Sequence, residues 1–255
     1  MNKFCYQSQP EDTLYFDLPK TDGLRIKGIL RGSLDQPVAI IMHGKPGHGN
    51  ELLPYLGARY LYEQGIASLR LFMYDFEPKT RNLLDCTLDT HADDFDTVVA
   101  ELRKRKVPKV YGIGHSYGGI TILRAKAKLD SAVLWDPTHG SIWAEHPELS
   151  SDYPKKIVGD IVIGTSGYGY VDSVKADQYN KRAGDTTDLS AHKGYPLKII
   201  SASEGIMTHL GTRYIEAADE PKEQIIIKGA HHQLEDSDEV VLQLFQETAD
   251  WFKLH

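Results

Sequence analysis

Short apolar runs alternate with amphipathic segments along most of the chain. Runs such as VAIIM and QIIIK are almost continuously apolar, which is typical of parallel strands that are covered on both faces. On this pattern we predict seven strands, at Leu24–Arg31, Val38–Met42, Ser68–Tyr74, Lys109–Ile113, Ala132–Trp135, Leu197–Ser201 and Gln224–Lys228.

Helical periodicity fills the intervals between these strands. Asp93 to Lys106 places its apolar residues on one stripe, with Thr90 as the predicted cap, and the last segment of the chain follows an Asp236-x-x-Glu239 start. A helical pattern also follows Ser116. Strands that alternate with helices predict an α/β fold with a mainly parallel, doubly wound sheet.

The alternation fails between about residues 138 and 195, where a possible hairpin, IVGDIVIGTSGYGY, is mixed with polar stretches. This interval is too long for an ordinary connecting loop. Because strands resume after it, we predict a single domain over residues 1–255 with a lid or cap insertion at about 138–195.

Composition narrows the classes of function. The 255 residues carry a formal net charge of −7, which disfavours nucleic acid as a partner. Neither a signal peptide nor a membrane-spanning run is visible, so we expect a cytoplasmic protein without a membrane partner. The two cysteines, Cys5 and Cys86, have no metal-ligand spacing, and we predict neither a metal nor a cofactor. The sequence leaves open whether the protein forms a homodimer.

The stretch VYGIGHSYGGITIL contains the first candidate catalytic residue. Gly114-His115-Ser116-Tyr117-Gly118 fits G-x-S-x-G between an apolar strand and a helical pattern. In this strand–turn–helix setting the glycines permit a tight turn, and the serine hydroxyl projects from the sheet at a helix N-terminus. The pattern predicts Ser116 as a nucleophile.

Two further stretches accompany the serine. IIMHGKPGHGN follows an apolar strand with a His-Gly turn, and IIIKGAHHQLED follows the last strand near the C-terminus. Together the three motifs resemble the α/β-hydrolase superfamily, over nearly the entire length. HGKPGHGN, IGTSGYGYVDSVKADQYNK and PLKIISASEG are most similar to cinnamoyl and feruloyl esterases among its serine hydrolases.

The resemblance implies an α/β-hydrolase fold and further site residues. The backbone N–H groups of Lys45 and Tyr117 would form an oxyanion hole, so the Lys45 side chain need not take part. Gly229-Ala230-His231-His232 matches the family pattern Gly-Ala-x-His and selects His232 as the base, with His231 as the alternative.

The acid departs from the family pattern, because Gly205 stands where close relatives usually carry an aspartate. We lean towards Asp136, which follows a strand and needs a partner for its charge, as in lipases with a similar Asp-Pro. Glu204, one residue before the expected position, is the alternative acid. The third possibility is a site without a working acid.

These residues predict a serine hydrolase that acts on a small ester or thioester through a Ser-His-acid triad and an acyl-enzyme. The tyrosine, glycine and tryptophan content of the insertion favours small aromatic or hydrophobic esters. The alternative is a catalytically impaired binding protein for small molecules, on a hydrolase scaffold.

Overall fold

The apolar runs pair into one eight-stranded sheet in the computed structural model of the protein, which describes residues 13–138, 155–165, 171–175, 194–205 and 207–255. In chain order its strands are β1 (Thr13–Pro19), β2 (Arg25–Arg31), β3 (Val38–Met42), β4 (Ala67–Phe72), β5 (Val110–His115), β6 (Ser131–Trp135), β10 (Leu197–Ala202) and β11 (Lys222–Ile227).

The spatial order of the strands is β1-β2-β4-β3-β5-β6-β10-β11. β2 is antiparallel to both β1 and β4, and all neighbours from β4 to β11 are parallel. The carboxyl ends of β3, β5, β6 and β10 therefore lie side by side at one edge of the sheet, where open α/β sheets place their reacting groups.

Helices cover both faces of this sheet. They are α1 (Leu52–Glu63), α2 (Leu88–Lys104), α3 (Tyr117–Arg124), α4 (Met207–Ala217) and α5 (Asp238–Leu254). One apolar cluster packs beneath α2, α3 and α4, and a second beneath α1 and α5. β3 contributes Val38, Ile40 and Met42 to the first cluster and Ala39 and Ile41 to the second, which explains its continuous apolar run. The predicted α/β fold is confirmed.

The sequence missed strand β1, whose pairing with β2 adds an antiparallel strand at the edge of the sheet. Its residues do not form a buried apolar run, because Leu14 and Tyr15 are exposed and Phe16 alone is buried. The seven predicted strands are all present, with ends that differ by no more than two residues.

Both predicted helix starts are displaced. α2 is capped by Thr87, whose hydroxyl oxygen accepts the Thr90 N–H over 3.1 Å, so Thr90 is the third helical residue rather than the cap. α5 begins after Ser237, whose hydroxyl oxygen accepts the Val240 N–H over 3.3 Å. In each case the cap is a hydroxyl residue whose side-chain oxygen accepts the N–H of the third helical residue.

Part of the predicted insertion is a second, three-stranded antiparallel sheet. It consists of β7 (Lys155–Val158), β8 (Ile161–Thr165) and β9 (Val171–Lys175), and β9 lies against a short 3₁₀ turn at Leu83–Asp85. Most of the remaining insertion lies outside the described residues, so its role as a lid stays a prediction. Within the described ranges, every helix is too short or too polar to cross a membrane.

The first turn of α3 lies directly against the end of β3. A Cβ on Gly118 would come within 2.8 Å of the His43 carbonyl oxygen, and closer still to the carbonyl oxygen of Met42. Both obstacles are backbone atoms of a buried strand end, so they cannot move aside as a side chain could. Glycine at position 118 therefore sets the separation between α3 and β3.

This close approach predicts that Gly118→Ala lowers the free energy of unfolding by about 1–3 kcal/mol or more, because the added methyl group forces α3 away from the sheet. Urea unfolding followed by circular dichroism measures the change. Gly164→Ala is the matched control, since a Cβ there meets no atom within 4 Å. Equal stability of the two variants would contradict the prediction.

Candidate active site

Ser116 occupies the sharp turn between β5 and α3. Its φ of 53° and ψ of −117° lie outside the regions that L-residues prefer. The turn is held by two hydrogen bonds of 3.0 Å, from the Ser116 N–H to the Trp135 carbonyl and from the Gly119 N–H to the Ser116 carbonyl. A Cβ on Gly114 would lie 2.6 Å from the Gly119 nitrogen, so the glycine permits this approach. This strained turn places the hydroxyl at the edge of the sheet.

A continuous line of hydrogen bonds joins Ser116 to two residues from distant parts of the chain. His232 Nε2 lies 2.9 Å from Ser116 Oγ, and His232 Nδ1 lies 2.6 Å from Asp136 Oδ2. Asp136 is fully buried, and its Oδ1 accepts the Ala202 N–H over 3.1 Å. Because a buried carboxylate accepts hydrogen bonds, Nδ1 carries the imidazole proton and Nε2 is left to accept the serine proton.

The register of the sheet explains why Asp136, rather than Glu204, faces the imidazole. Trp135 is opposite both His115 on β5 and Ile200 on β10, so the next residue along β6 lies between the ends of its two neighbours. The Asp136 N–H donates to the Ile200 carbonyl over 2.8 Å. Glu204 is exposed, and its carboxylate accepts a hydrogen bond of 2.9 Å from the neighbouring serine hydroxyl.

The two adjacent histidines point in different directions. The His231 side chain is 64% exposed, and its Nδ1 lies 2.7 Å from Asp236 Oδ1. The His232 side chain is 19% exposed and contacts Ser116 and Asp136. The structure therefore brings His232, and not His231, to the serine.

The loop after β3 lies against Ser116. His43 is fully buried, and its Nδ1–H donates to the Gly44 carbonyl over 2.7 Å while its Nε2 accepts the Met73 N–H over 3.2 Å. Burial lowers the pKa of His43 to about 3, so the ring is a neutral brace for the loop. A Cβ on Gly44 would lie 3.2 Å from Ser116 Cβ, which puts the backbone of the loop in contact with the serine.

The two residues predicted to form an oxyanion hole flank this contact. Lys45 follows Gly44 in the loop, and Tyr117 follows Ser116 as the first residue of α3. The Lys45 ammonium donates to the Cys86 carbonyl over 3.3 Å. The side chain of Lys45 is thus engaged with the segment before α2, while its backbone lies in the loop beside Ser116.

Sequence reasoning missed the part played by His115, the residue before the serine. Its Nε2 lies 2.9 Å from the backbone carbonyl oxygen of His232, to which it donates. Burial, followed by the neighbouring His232, lowers the pKa of His115 to about 3, so this donor stays neutral. A histidine at the end of a fully apolar strand was the available signal, because a buried imidazole needs a partner.

Thr138 is the second residue that the sequence reasoning missed. Its Oγ1 lies 3.0 Å from Ser116 Oγ, and its N–H donates to the Ser116 carbonyl over 3.2 Å. No sequence pattern singles it out, since its proximity follows from the turn that Asp136 begins at the end of β6.

Elsewhere in the described part of the chain, no three histidine, cysteine, aspartate or glutamate side chains gather as metal ligands would. Burial raises the pKa of Cys86 to about 12, so this side chain stays a thiol. Cys5 lies outside the described residues.

Similar proteins were found by sequence and by structure. Residues 30–241 match the family model described as the alpha/beta hydrolase family. No curated protein matches the sequence significantly. Among solved structures, Est1E from Butyrivibrio proteoclasticus with ferulic acid bound has a TM-score of 0.70 at 19% identity, covering 94% of this chain and 99% of that one.

Two other solved structures are similar over almost their whole length. Dienelactone hydrolase from Anabaena variabilis has a TM-score of 0.66 at 16% identity, covering 96% of this chain and 99% of that one. The alpha/beta hydrolase GrgF from Penicillium sp. has a TM-score of 0.71 at 19% identity, covering 95% and 98% of the two chains. At these identities the likeness establishes the fold.

The match of the family model extends over well over half of the sequence, and the eight-stranded sheet carries its serine at the strand–helix turn typical of this fold. The chain therefore belongs to the alpha/beta hydrolase family.

Proposed function

We propose that the protein is a serine hydrolase that cleaves small carboxylic esters or thioesters through an acyl-enzyme intermediate. The observation that carries this proposal is the hydrogen-bonded line from the Asp136 carboxylate through the His232 imidazole to the Ser116 hydroxyl. A nucleophile, a base and a group that orients the base, all within hydrogen-bond distance, are the arrangement that acyl transfer needs.

Acylation begins with a proton transfer. His232 Nε2 accepts the Ser116 proton as Oγ attacks the carbonyl carbon of the substrate, and a tetrahedral intermediate forms. The resulting imidazolium is stabilised by the buried Asp136 carboxylate, which stays ionised. His232 then gives the proton to the leaving alcohol or thiol, and the acyl group remains on Ser116.

The negative charge that develops on the substrate's carbonyl oxygen needs hydrogen-bond donors during this step. The proposed donors are the backbone N–H groups of Lys45 and Tyr117, which belong to the two segments in contact at Gly44 and Ser116. The position of Tyr117 at the start of α3 adds the positive end of the helix dipole. A water molecule, activated by His232, then hydrolyses the acyl-enzyme.

The substrate class is proposed from what is known of two structural relatives. One structural relative was solved with ferulic acid bound and another is a dienelactone hydrolase, so both are consistent with small esters. The alternative, a binding protein with an impaired site, depended on the lack of an acid after β10. The contact between Asp136 and His232 supports the hydrolase over that alternative.

The first test is covalent labelling of Ser116. We expect a fluorophosphonate to modify the protein once, on Ser116, and short p-nitrophenyl esters to be hydrolysed. Ser116→Ala should abolish labelling and reduce kcat by roughly 10⁴-fold or more, because the nucleophile is lost. Mass spectrometry and nitrophenolate absorbance report the two results. A wild-type protein that neither labels nor hydrolyses would overturn the proposal.

The two neighbouring histidines provide a matched pair of variants. His232→Ala should reduce kcat by roughly 10⁴-fold, because the serine loses its base. His231→Ala should leave kcat within about threefold, since the exposed His231 ring contacts Asp236 rather than Ser116. Comparable losses in the two variants would argue against His232 as the base.

The acid is tested by isosteric amides. Asp136→Asn should lower kcat by roughly 10³- to 10⁴-fold, because an amide favours the wrong tautomer of His232 and does not stabilise the imidazolium. Glu204→Gln should leave kcat nearly unchanged, since the Glu204 side chain contacts a neighbouring serine. Full activity in Asp136→Asn would refute the assignment, and a large loss in Glu204→Gln would revive the alternative acid.

A further inference from the structure

The Thr138 hydroxyl lies within hydrogen-bond distance of the proposed nucleophile. Thr138 Oγ1 and Ser116 Oγ are 3.0 Å apart. We propose that Thr138 is a catalytic residue that speeds deacylation, by donating a hydrogen bond to Ser116 Oγ as that oxygen leaves the acyl group. The inference rests on the proposed function, because it assigns a task within the same acyl-enzyme cycle.

The direction of this hydrogen bond follows from the neighbouring groups. The buried Asp136 carboxylate accepts the proton on His232 Nδ1, so His232 Nε2 is an acceptor. The Ser116 hydroxyl has a single proton, and it is donated to that nitrogen. In its contact with Thr138, the serine oxygen can therefore only accept, and the Thr138 hydroxyl is the donor.

The Thr138 backbone is held in place at both of its polar atoms. Its N–H donates to the Ser116 carbonyl over 3.2 Å, and its carbonyl accepts the Tyr214 hydroxyl over 2.9 Å. Tyr214 is fully buried in the core beneath α4, and Pro137 restricts the preceding backbone. A donor that is fixed in this way needs little reorganisation when charge develops on the serine oxygen.

The strength of the hydrogen bond changes around the catalytic cycle. In the resting site Ser116 Oγ is a hydroxyl oxygen that donates its proton to His232, which makes it a good acceptor. In the acyl-enzyme the same atom is an ester oxygen, whose lone pair is delocalised into the carbonyl group, so it accepts weakly. When the bond from Oγ to the acyl carbon breaks, negative charge returns to Oγ and the bond from Thr138 strengthens.

The hydrogen bond from Thr138 thus lowers the barrier to deacylation more than the barrier to acylation. A water molecule adds to the acyl carbon while His232 takes one of its protons, and the tetrahedral intermediate collapses. The bond between the acyl carbon and Ser116 Oγ breaks, its electron pair stays on Oγ, and His232 returns the proton there. Thr138 keeps its own proton throughout. Because this interaction is weak in the acyl-enzyme and strong in the transition state, it lowers the barrier to deacylation.

Acylation starts from a state in which the hydrogen bond already exists. The free enzyme and the transition state for attack both have Thr138 bonded to Ser116 Oγ, so removal of the donor affects them similarly. A variant that lacks the hydroxyl is therefore expected to acylate normally and to accumulate acyl-enzyme.

The experiment compares Thr138→Val with the wild-type protein in stopped-flow hydrolysis of p-nitrophenyl acetate and p-nitrophenyl butyrate. We expect the deacylation rate constant to fall by about fivefold to tenfold, the net effect of one hydrogen bond that strengthens in the transition state, while kcat/KM stays within about twofold. The burst of nitrophenolate should grow, and mass spectrometry of quenched samples should find more acyl adduct on Ser116.

Two further variants separate the hydroxyl from the shape of the side chain. Thr138→Ser keeps the donor and should deacylate at close to the wild-type rate. Thr138→Ala removes the donor without adding apolar bulk, and should behave like Thr138→Val even if valine disturbs the fold. Circular dichroism and thermal unfolding identify any variant whose fold is altered.

The result that overturns the inference is an equal fall of kcat/KM and the deacylation constant, as expected of a residue that only shapes the turn. Unchanged deacylation in both Thr138→Val and Thr138→Ala would overturn it as well. Failure of the proposed function looks different, because then the wild-type protein itself releases no nitrophenolate and forms no adduct, and both proposals fall.

Discussion

The buried carboxylate of Asp136 is the group on which the rest of the site depends. It is fully excluded from solvent, and each of its oxygens accepts one hydrogen bond, from the Ala202 N–H and from His232 Nδ1. An unpaired charge at such a position would be prohibitively unfavourable, so the imidazole is held wherever the carboxylate is. Since Asp136 follows β6 directly, the register of the parallel sheet fixes the imidazole relative to Ser116 at the end of β5.

The location of this carboxylate changes what the loop after β10 does. Glu204 and its neighbour support the loop that carries His232 through their other polar groups. The Glu204 N–H donates to the Ala230 carbonyl over 2.9 Å, and the Ser203 hydroxyl oxygen accepts the Gly229 N–H over 2.7 Å. This segment therefore anchors the backbone of the loop that carries His232, while the Glu204 carboxylate remains exposed to solvent.

Burial separates the histidines near the site into two groups. His43 and His115 are buried, and burial lowers the pKa of each to about 3, so they act as neutral donors to backbone carbonyls. His43 braces the loop beside Ser116, and His115 holds the backbone of the residue proposed as the base. His232 keeps part of its ring exposed, which fits its proposed exchange of protons with substrate and water.

The sequence by itself determined the sheet and the turn that carries Ser116, because both depend on local patterns. Short apolar runs predicted seven of the eight strands of the main sheet within two residues, and G-x-S-x-G after such a run predicted the strained turn at Ser116. The edge strand β1 escaped notice because one of its faces is exposed. The helix caps at Thr87 and Ser237 were misplaced because several nearby residues could serve equally well as caps.

Which side chains meet at the edge of the sheet was decided only by the tertiary structure. The sequence left Asp136 and Glu204 open as acids, and His232 and His231 open as bases, since each pair has similar chemistry and lies in a similar loop. The order β5-β6-β10 and its register bring Asp136, Thr138 and His232 to Ser116 across separations of about 20 to 116 residues. Long-range pairing of strands is not encoded in any local pattern, so proximity at this edge emerges only when the sheet is assembled.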